Sequence, residues 1–150
     1  MLPLADVAAG NEPVNFGWNV YEGTDATNFA GARLSTSSHT GPIYQYQTGG
    51  EQGRSVIGGY ALDTDHYLFA DFVSGKLMII ANKDERNDDT ASTWQLTSDW
   101  SPDQWLPQKQ RNELGDNVKI PSLYKDPNGQ LFVVVWGDSD KSAIYRLSFA

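Results

Sequence analysis

The chain contains two side chains that could exchange protons near neutral pH, the histidines His39 and His66. A histidine works as a general base when it lies beside an acidic partner that orients it. His66 follows Asp63 and Asp65 in "DTDHYLF", just before an apolar run, whereas His39 lies in the polar segment "STSSHTGP". Both settings are typical of exposed turns and loops, so we assign no catalytic residue.

Two aromatic and two cationic residues have the right types for a ligand site. Phe16 and Trp18, in "VNFGWNVYEG", could form an aromatic wall beside a planar cofactor or a sugar, or they could pack against neighbouring structure. Packing is the interpretation that we favour. Arg54, before "SVIGGY", and Lys76, after "ADFVSG", could supply positive charge to an anionic group, although each is more commonly a surface residue.

Asp71 interrupts an apolar segment, "LFADFV", and is therefore expected to be buried. A buried carboxylate has to be paired or hydrogen-bonded. We predict that Asp71 bonds backbone groups or a neighbouring sheet, with a role facing a central channel of the fold as the alternative.

The acidic run "NKDERNDD" is the candidate metal site with the most carboxylates. Calcium needs several oxygen ligands at short spacing and usually a glycine at the tight turn. This run has no glycine and includes two cations, so we predict a solvated connection and no metal site. The acids concerned are Asp84, Glu85, Asp88 and Asp89.

Composition indicates which elements position these residues. The 150 residues suit one domain, and 12% aromatics with 14 glycines favour an all-β fold. The net charge of −8 argues against binding to nucleic acid or to an anionic membrane. The chain has no cysteine and no apolar run long enough to span a membrane. Residues 1–13 lack the features of a signal peptide, so localisation is left open.

Strand-like segments divide the chain into four regions. We predict a closing strand over 1–7, a long loop over 8–53, one blade over 55–98 and another over 119–149. The first blade includes a tight turn at Ser74 and Gly75. No segment of useful length keeps a helical period, and 99–117 is expected to be a polar loop.

Two of these regions repeat one plan: a polar turn, an apolar strand that opens with Leu-Phe, a glycine-containing turn and a second apolar strand. Leu68 and Leu131 occupy equivalent places, so the copies are offset by 63 residues. Repeated four-stranded meanders are typical of β-propeller blades. Two blades alone leave open edges. We therefore predict a partial propeller, either part of a longer protein or a ring completed by several copies.

Five segments together resemble the C-terminal part of the glucose/sorbosone dehydrogenase family of six-bladed β-propellers. They are "NFGWNVYEG" (15–23), "PIYQY" (42–46), "SVIGGYAL" (55–62), "YLFADFVSGKLMII" (67–80) and "NGQLFVVVWGDSDKSAIYRL" (128–147). The family includes soluble aldose dehydrogenases that use pyrroloquinoline quinone, often with calcium, and related domains that bind partners without proven catalysis.

The resemblance implies that a whole propeller of this type would oxidise an aldose with the bound quinone. It implies Phe16 and Trp18 as cofactor-binding residues and a sugar as a partner. Arg54 and Lys76 are the candidate cofactor-binding cations, although the Lys and Arg residues that hold the quinone in the family are not clearly matched. The resemblance also implies a catalytic histidine from an earlier blade, which this chain lacks, and a proline where Asn19 stands. Whether the chain is an enzyme is therefore left open. The alternative is a non-catalytic propeller module that binds carbohydrate or protein, or copies of itself.

Overall fold

The computed structural model describes residues 15–28, 39–82 and 94–149. The fold is mostly β, with separate antiparallel sheets of two, four and three strands among these residues. The chain divides into two compact units, Met1–Gln45 and Tyr46–Ala150. None of the described helices is long and apolar enough to cross a membrane.

The first unit contains a small hairpin formed by strands β1 (Tyr21–Glu22) and β2 (Asp25–Ala26). The Gln45 side chain fastens the hairpin turn, because its Oε1 accepts a hydrogen bond of 2.8 Å from the Thr24 N–H. This hairpin lies within the segment predicted to be a loop. The strand predicted over 1–7 lies outside the described residues.

The first sheet is an antiparallel meander of four strands in chain order: β3 (Val56–Ala61), β4 (His66–Asp71), β5 (Leu77–Asn82) and β6 (Trp94–Trp100). The strands predicted from "SVIGGYALD", from the two halves of "HYLFADFVSGKLMIIANK" and from "TWQLTS" are confirmed. Their β-branched and aromatic residues suit a pleated, buried surface.

The second sheet has three antiparallel strands: β7 (Lys119–Lys125), β8 (Leu131–Trp136) and β9 (Ser142–Arg146). The first two are joined by the predicted turn "KDPNGQ". The Asp126 carboxylate accepts hydrogen bonds from the N–H groups of Asn128 and Gln130, at 2.9 and 2.8 Å. Such aspartate-to-backbone bonds are the reason that Asp favours turns.

Two short helices lie where a polar loop was predicted, so that prediction was wrong. They are α1 (Pro102–Trp105) and α2 (Gln108–Leu114). The first begins with a proline, and the Gln104 side chain accepts the Ser101 N–H at 2.9 Å. Gly115, with φ of 94°, ends the second. These local start and stop signals form helices too short to show a period.

The hydrophobic core of the second unit lies between the two sheets. The first sheet contributes Leu68 and Ile79, the second contributes Ile120 and Val133, and α2 contributes Leu114. Strand β7 contacts both β3 and β4. The two central strands of the first sheet are also buried on the side away from this core, through Phe69, Met78 and Ile80.

Candidate functional site

Asp71 is a buried polar residue of the second unit, and a long connection in that unit packs around it. It ends β4 and is 0% exposed. Because side chains alternate along a strand, Asp71 faces the opposite side from Leu68 and Ala70, which belong to the core. A carboxylate placed there needs hydrogen-bond donors close by.

Four donors satisfy the Asp71 carboxylate. Its Oδ2 accepts from the Tyr46 hydroxyl at 2.8 Å and from the N–H groups of Arg54 and Ser55 at 2.8 and 2.5 Å. Its Oδ1 accepts from the Ser74 N–H at 2.7 Å. The carboxylate therefore ties the connection over 46–55 and the turn after β4 to the first sheet. The prediction that Asp71 bonds backbone groups is confirmed.

Gly53 shows how closely the connection approaches this carboxylate. A side chain at Gly53 would overlap the carboxylate of Asp71, and the backbone there has φ of 147°. Both the space and the backbone conformation therefore favour glycine. The absence of a side chain at Gly53 therefore lets the backbone pack against the carboxylate.

Two opposing effects set the pKa of Asp71. Burial disfavours the charged form and raises the pKa, whereas hydrogen bonds from Ser74, Ser55 and Tyr46 stabilise the carboxylate. The hydrogen bonds outweigh burial, so the pKa of Asp71 lies below its ordinary value. Asp71 is therefore an ionised anchor and is poorly suited to accept protons as a general base.

The two predicted cofactor-binding cations both bond Asp71 through their backbones. The Arg54 N–H donates to the carboxylate, and the Lys76 carbonyl accepts the Asp71 N–H at 3.0 Å. The Arg54 residue is exposed. The Lys76 ammonium lies 2.9 Å from an Asp99 carboxylate oxygen, with both side chains largely buried. Lys76 is therefore paired with Asp99 in this structure, and binding of a quinone by Arg54 and Lys76 stays a prediction.

The two predicted cofactor-binding aromatics lie in the other compact unit. Phe16 and Trp18 are 66% and 71% exposed, so neither is buried in the core that the described residues form. Nearby in the same unit, the rings of Tyr21 and His39 stack with their centroids 4.4 Å apart. Packing of Phe16 and Trp18 against further blades, or a role as a pocket wall, stays a prediction.

The second histidine begins β4, directly after an exposed turn. His66 Nδ1 is 2.9 Å from an Asp63 carboxylate oxygen, and about half of each side chain is exposed. Hydrogen bonds from the Asp65 backbone and from His66 lower the pKa of Asp63. Turn formation accounts for these contacts.

Carboxylates and histidines are the side chains of this chain that could hold a metal ion. In 15–28, 39–82 and 94–149, no group of three or more acidic or histidine side chains is placed to hold a metal ion. The acidic run with Asp84, Glu85, Asp88 and Asp89 lies outside the described residues. A calcium ion therefore stays a prediction from the resemblance alone.

The second sheet carries an apolar surface that sequence reasoning missed. On the side facing away from the core, strand register brings together five side chains, which we call the outer face: Tyr124, Phe132, Val134, Trp136 and Ile144. Three of them are exposed, namely Tyr124 at 52%, Trp136 at 50% and Ile144 at 68%. The unbroken apolar run "LFVVVW" was the available signal, because it supplies apolar residues to both faces of β8.

The outer face is ordered by contacts between its rings and their neighbours. Trp136 meets Phe72 edge-to-face, with ring centroids 5.9 Å apart, and the Lys119 ammonium lies 5.5 Å from the centre of the Phe72 ring. Tyr124 and Phe132 are cross-strand neighbours with centroids 6.3 Å apart. An ordered apolar surface of this kind is typical of a contact with another protein surface.

Comparisons of the chain with protein-family models, with curated proteins and with solved structures find no match.

Proposed function

We propose that the chain provides two blades of a β-propeller and acts as a non-catalytic binding module. The observation that carries the proposal is the burial of the first sheet on both sides. Consecutive residues Met78, Ile79 and Ile80 of β5 are all buried, although successive side chains point to opposite faces. A propeller blade lies between two neighbours, so its central strands are buried in this way.

The exposed apolar side of the second sheet also supports the proposal. This sheet follows the first sheet in the chain and covers one of its sides, yet its own outer face is apolar and exposed. In a ring of blades, that face would pack against the next blade. The partners that suit it are therefore further blades of a longer protein or other copies of this chain.

The relation to sugar oxidation rests on the resemblance to the glucose/sorbosone dehydrogenase family. In such a ring, pyrroloquinoline quinone would supply the hydride acceptor. The described cations fit that group poorly, because Lys76 is paired with Asp99. We therefore place the oxidation chemistry in blades outside this chain. Contact with a sugar would fall to the exposed Phe16 and Trp18.

A quinone titration tests the proposal. The purified chain is titrated with pyrroloquinoline quinone and calcium while tryptophan fluorescence is followed, and dye reduction is then measured with several aldoses. We expect neither saturable binding nor dye reduction. We also expect Lys76→Met to lower the melting temperature, since it leaves the Asp99 carboxylate unpaired.

The matched control is Lys109→Met, which removes an exposed lysine from α2. Its melting temperature should stay close to that of the unchanged chain. If the chain binds quinone saturably, and Lys76→Met abolishes that binding while Lys109→Met does not, the aldose-oxidising alternative replaces the binding-module proposal.

A further inference from the structure

The side of the second sheet that carries the outer face differs in charge from the rest of the chain. Strand register places Lys119 and Arg146 on the same side as the outer face, beside Trp136 and Phe132. The other outward-pointing residues of these three strands are apolar or hydroxyl-bearing, so this side carries a charge of +2. Because the whole chain carries −8, the remainder carries −10.

We infer that the outer face docks onto an acidic surface of a second copy of this chain. This inference rests on the propeller proposal and names the partner of that module. A side of the sheet that carries +2 is attracted to acidic regions of a second copy, whose remainder carries −10, and is repelled by the same side of that copy. The contact is therefore heterologous, the type that forms a ring when the rotation between copies closes.

The residue types on this face suit a protein contact. Tyrosine, tryptophan and arginine are the residues most enriched among those that dominate binding energy, and Tyr124, Trp136 and Arg146 are all exposed here. The branched side chains of Val134 and Ile144 fill the middle of the face. They offer apolar area without hydrogen-bonding groups, which favours a protein surface over a sugar.

The exposed area limits the strength of the contact. A fully presented aromatic side chain covers about 150–250 Å², so the half-exposed Tyr124 and Trp136 each offer roughly 100 Å². The whole outer face then offers several hundred Å², below the ~800 Å² per partner of a standard stable interface. We therefore expect association that depends on protein concentration.

Light scattering across a concentration series tests the docking. The weight-average mass should rise above the 16.6 kDa of one chain as concentration increases. Ile144→Glu should weaken the association about tenfold or more, because it places an unpaired charge in the middle of the face. Ile144 is 68% exposed, so this substitution leaves the core intact.

The matched control is Val56→Glu, which puts the same charge on an equally exposed residue of the first sheet, 62% exposed. It should leave the association unchanged. Arg146→Glu and added salt should both weaken the association of the chain, because both remove the charge attraction. A mass that stays at one chain at every concentration overturns the inference, as does equal weakening by Val56→Glu. Insensitivity to both salt and Arg146→Glu also overturns it.

Hydrogen exchange on the same samples distinguishes failure of the docking from failure of the propeller-blade proposal. A monomer whose β4 and β5 amides exchange slowly overturns the docking and leaves the blade proposal standing. Rapid exchange of those amides overturns the blade proposal itself.

Discussion

The two sheets of the second unit are both antiparallel meanders with a common core between them. They differ on the sides that face away from this core. At the position where the first sheet has Asp71, the repeat offset of 63 residues places Val134 in the second sheet. Asp71 is fully buried and binds the connection over 46–55, whereas Val134 lies on the partly exposed outer face. The side of the first sheet that carries Asp71 therefore binds another segment of the same chain. The corresponding side of the second sheet carries Val134 and is an apolar surface.

Placing each residue at the other's position, in two separate variants, should give the largest difference in the free energy of unfolding. We expect Asp71→Val to lower the free energy of unfolding by about 3–5 kcal/mol, because the N–H groups of Arg54, Ser55 and Ser74 lose their acceptor. We expect Val134→Asp to change it by less than about 1 kcal/mol, since solvent reaches the new carboxylate. Chemical denaturation measures both. Equal costs would show that the two sides do not differ in the way described.

Alanine substitutions at adjacent strand positions sharpen the comparison. In the first sheet, Met78→Ala and Ile79→Ala should each cost about 2–5 kcal/mol, because both sides of β5 are buried. In the second sheet, Val133→Ala should cost about 2–3 kcal/mol and Val134→Ala less than about 1 kcal/mol. The same denaturation experiment tests these values. A cost at Val134 as large as that at Val133 would mean that the outer face is covered in solution.

Acid should lower the free energy of unfolding by less than Asp71→Val does, because a protonated Asp71 can still accept some of its hydrogen bonds. The pKa of Asp71 is lower in the folded chain than in the unfolded chain. Between these two pKa values the unfolded chain binds more protons, so the free energy of unfolding rises with pH there. The contribution of Asp71 is fully present above its ordinary pKa of about 4 and is lost as pH falls through the folded pKa.

Stability measured against pH for the unchanged chain and for Asp71→Asn isolates this contribution. The difference between the two curves should shrink as the solution becomes acidic. A difference that stays constant down to the acid limit would show that the carboxylate charge does not stabilise the fold.

The sequence predicts the strands well because their signals are local. Alternation, β-branched residues and turn residues such as Ser74-Gly75 and "DPNG" lie within each hairpin. The burial of Asp71 also follows locally, from a carboxylate inside an apolar segment. The two helices were missed because Ser101, Pro102 and Gly115 act through caps and leave no periodic pattern.

The candidate site depended on partners that are distant in sequence. Lys76 pairs with Asp99, 23 residues away, and no local sequence pattern indicated this partner. The outer face was missed because the apolar residues of β8 are continuous, so the sequence alone does not distinguish Val133, in the core, from Val134, outside it. Tertiary packing makes that distinction.

The same strand has a consequence for the handling of the protein. Leu131–Trp136 is a six-residue segment with no charge, no proline and no glycine, composed of strong β-formers. Segments of this kind stack readily into cross-β fibrils when a chain opens. The residues that flank it, Asp126 with Pro127 on one side and Asp138 with Asp140 on the other, are of the types that oppose such stacking. We expect solutions acidic enough to neutralise these aspartates to favour fibril formation through this segment.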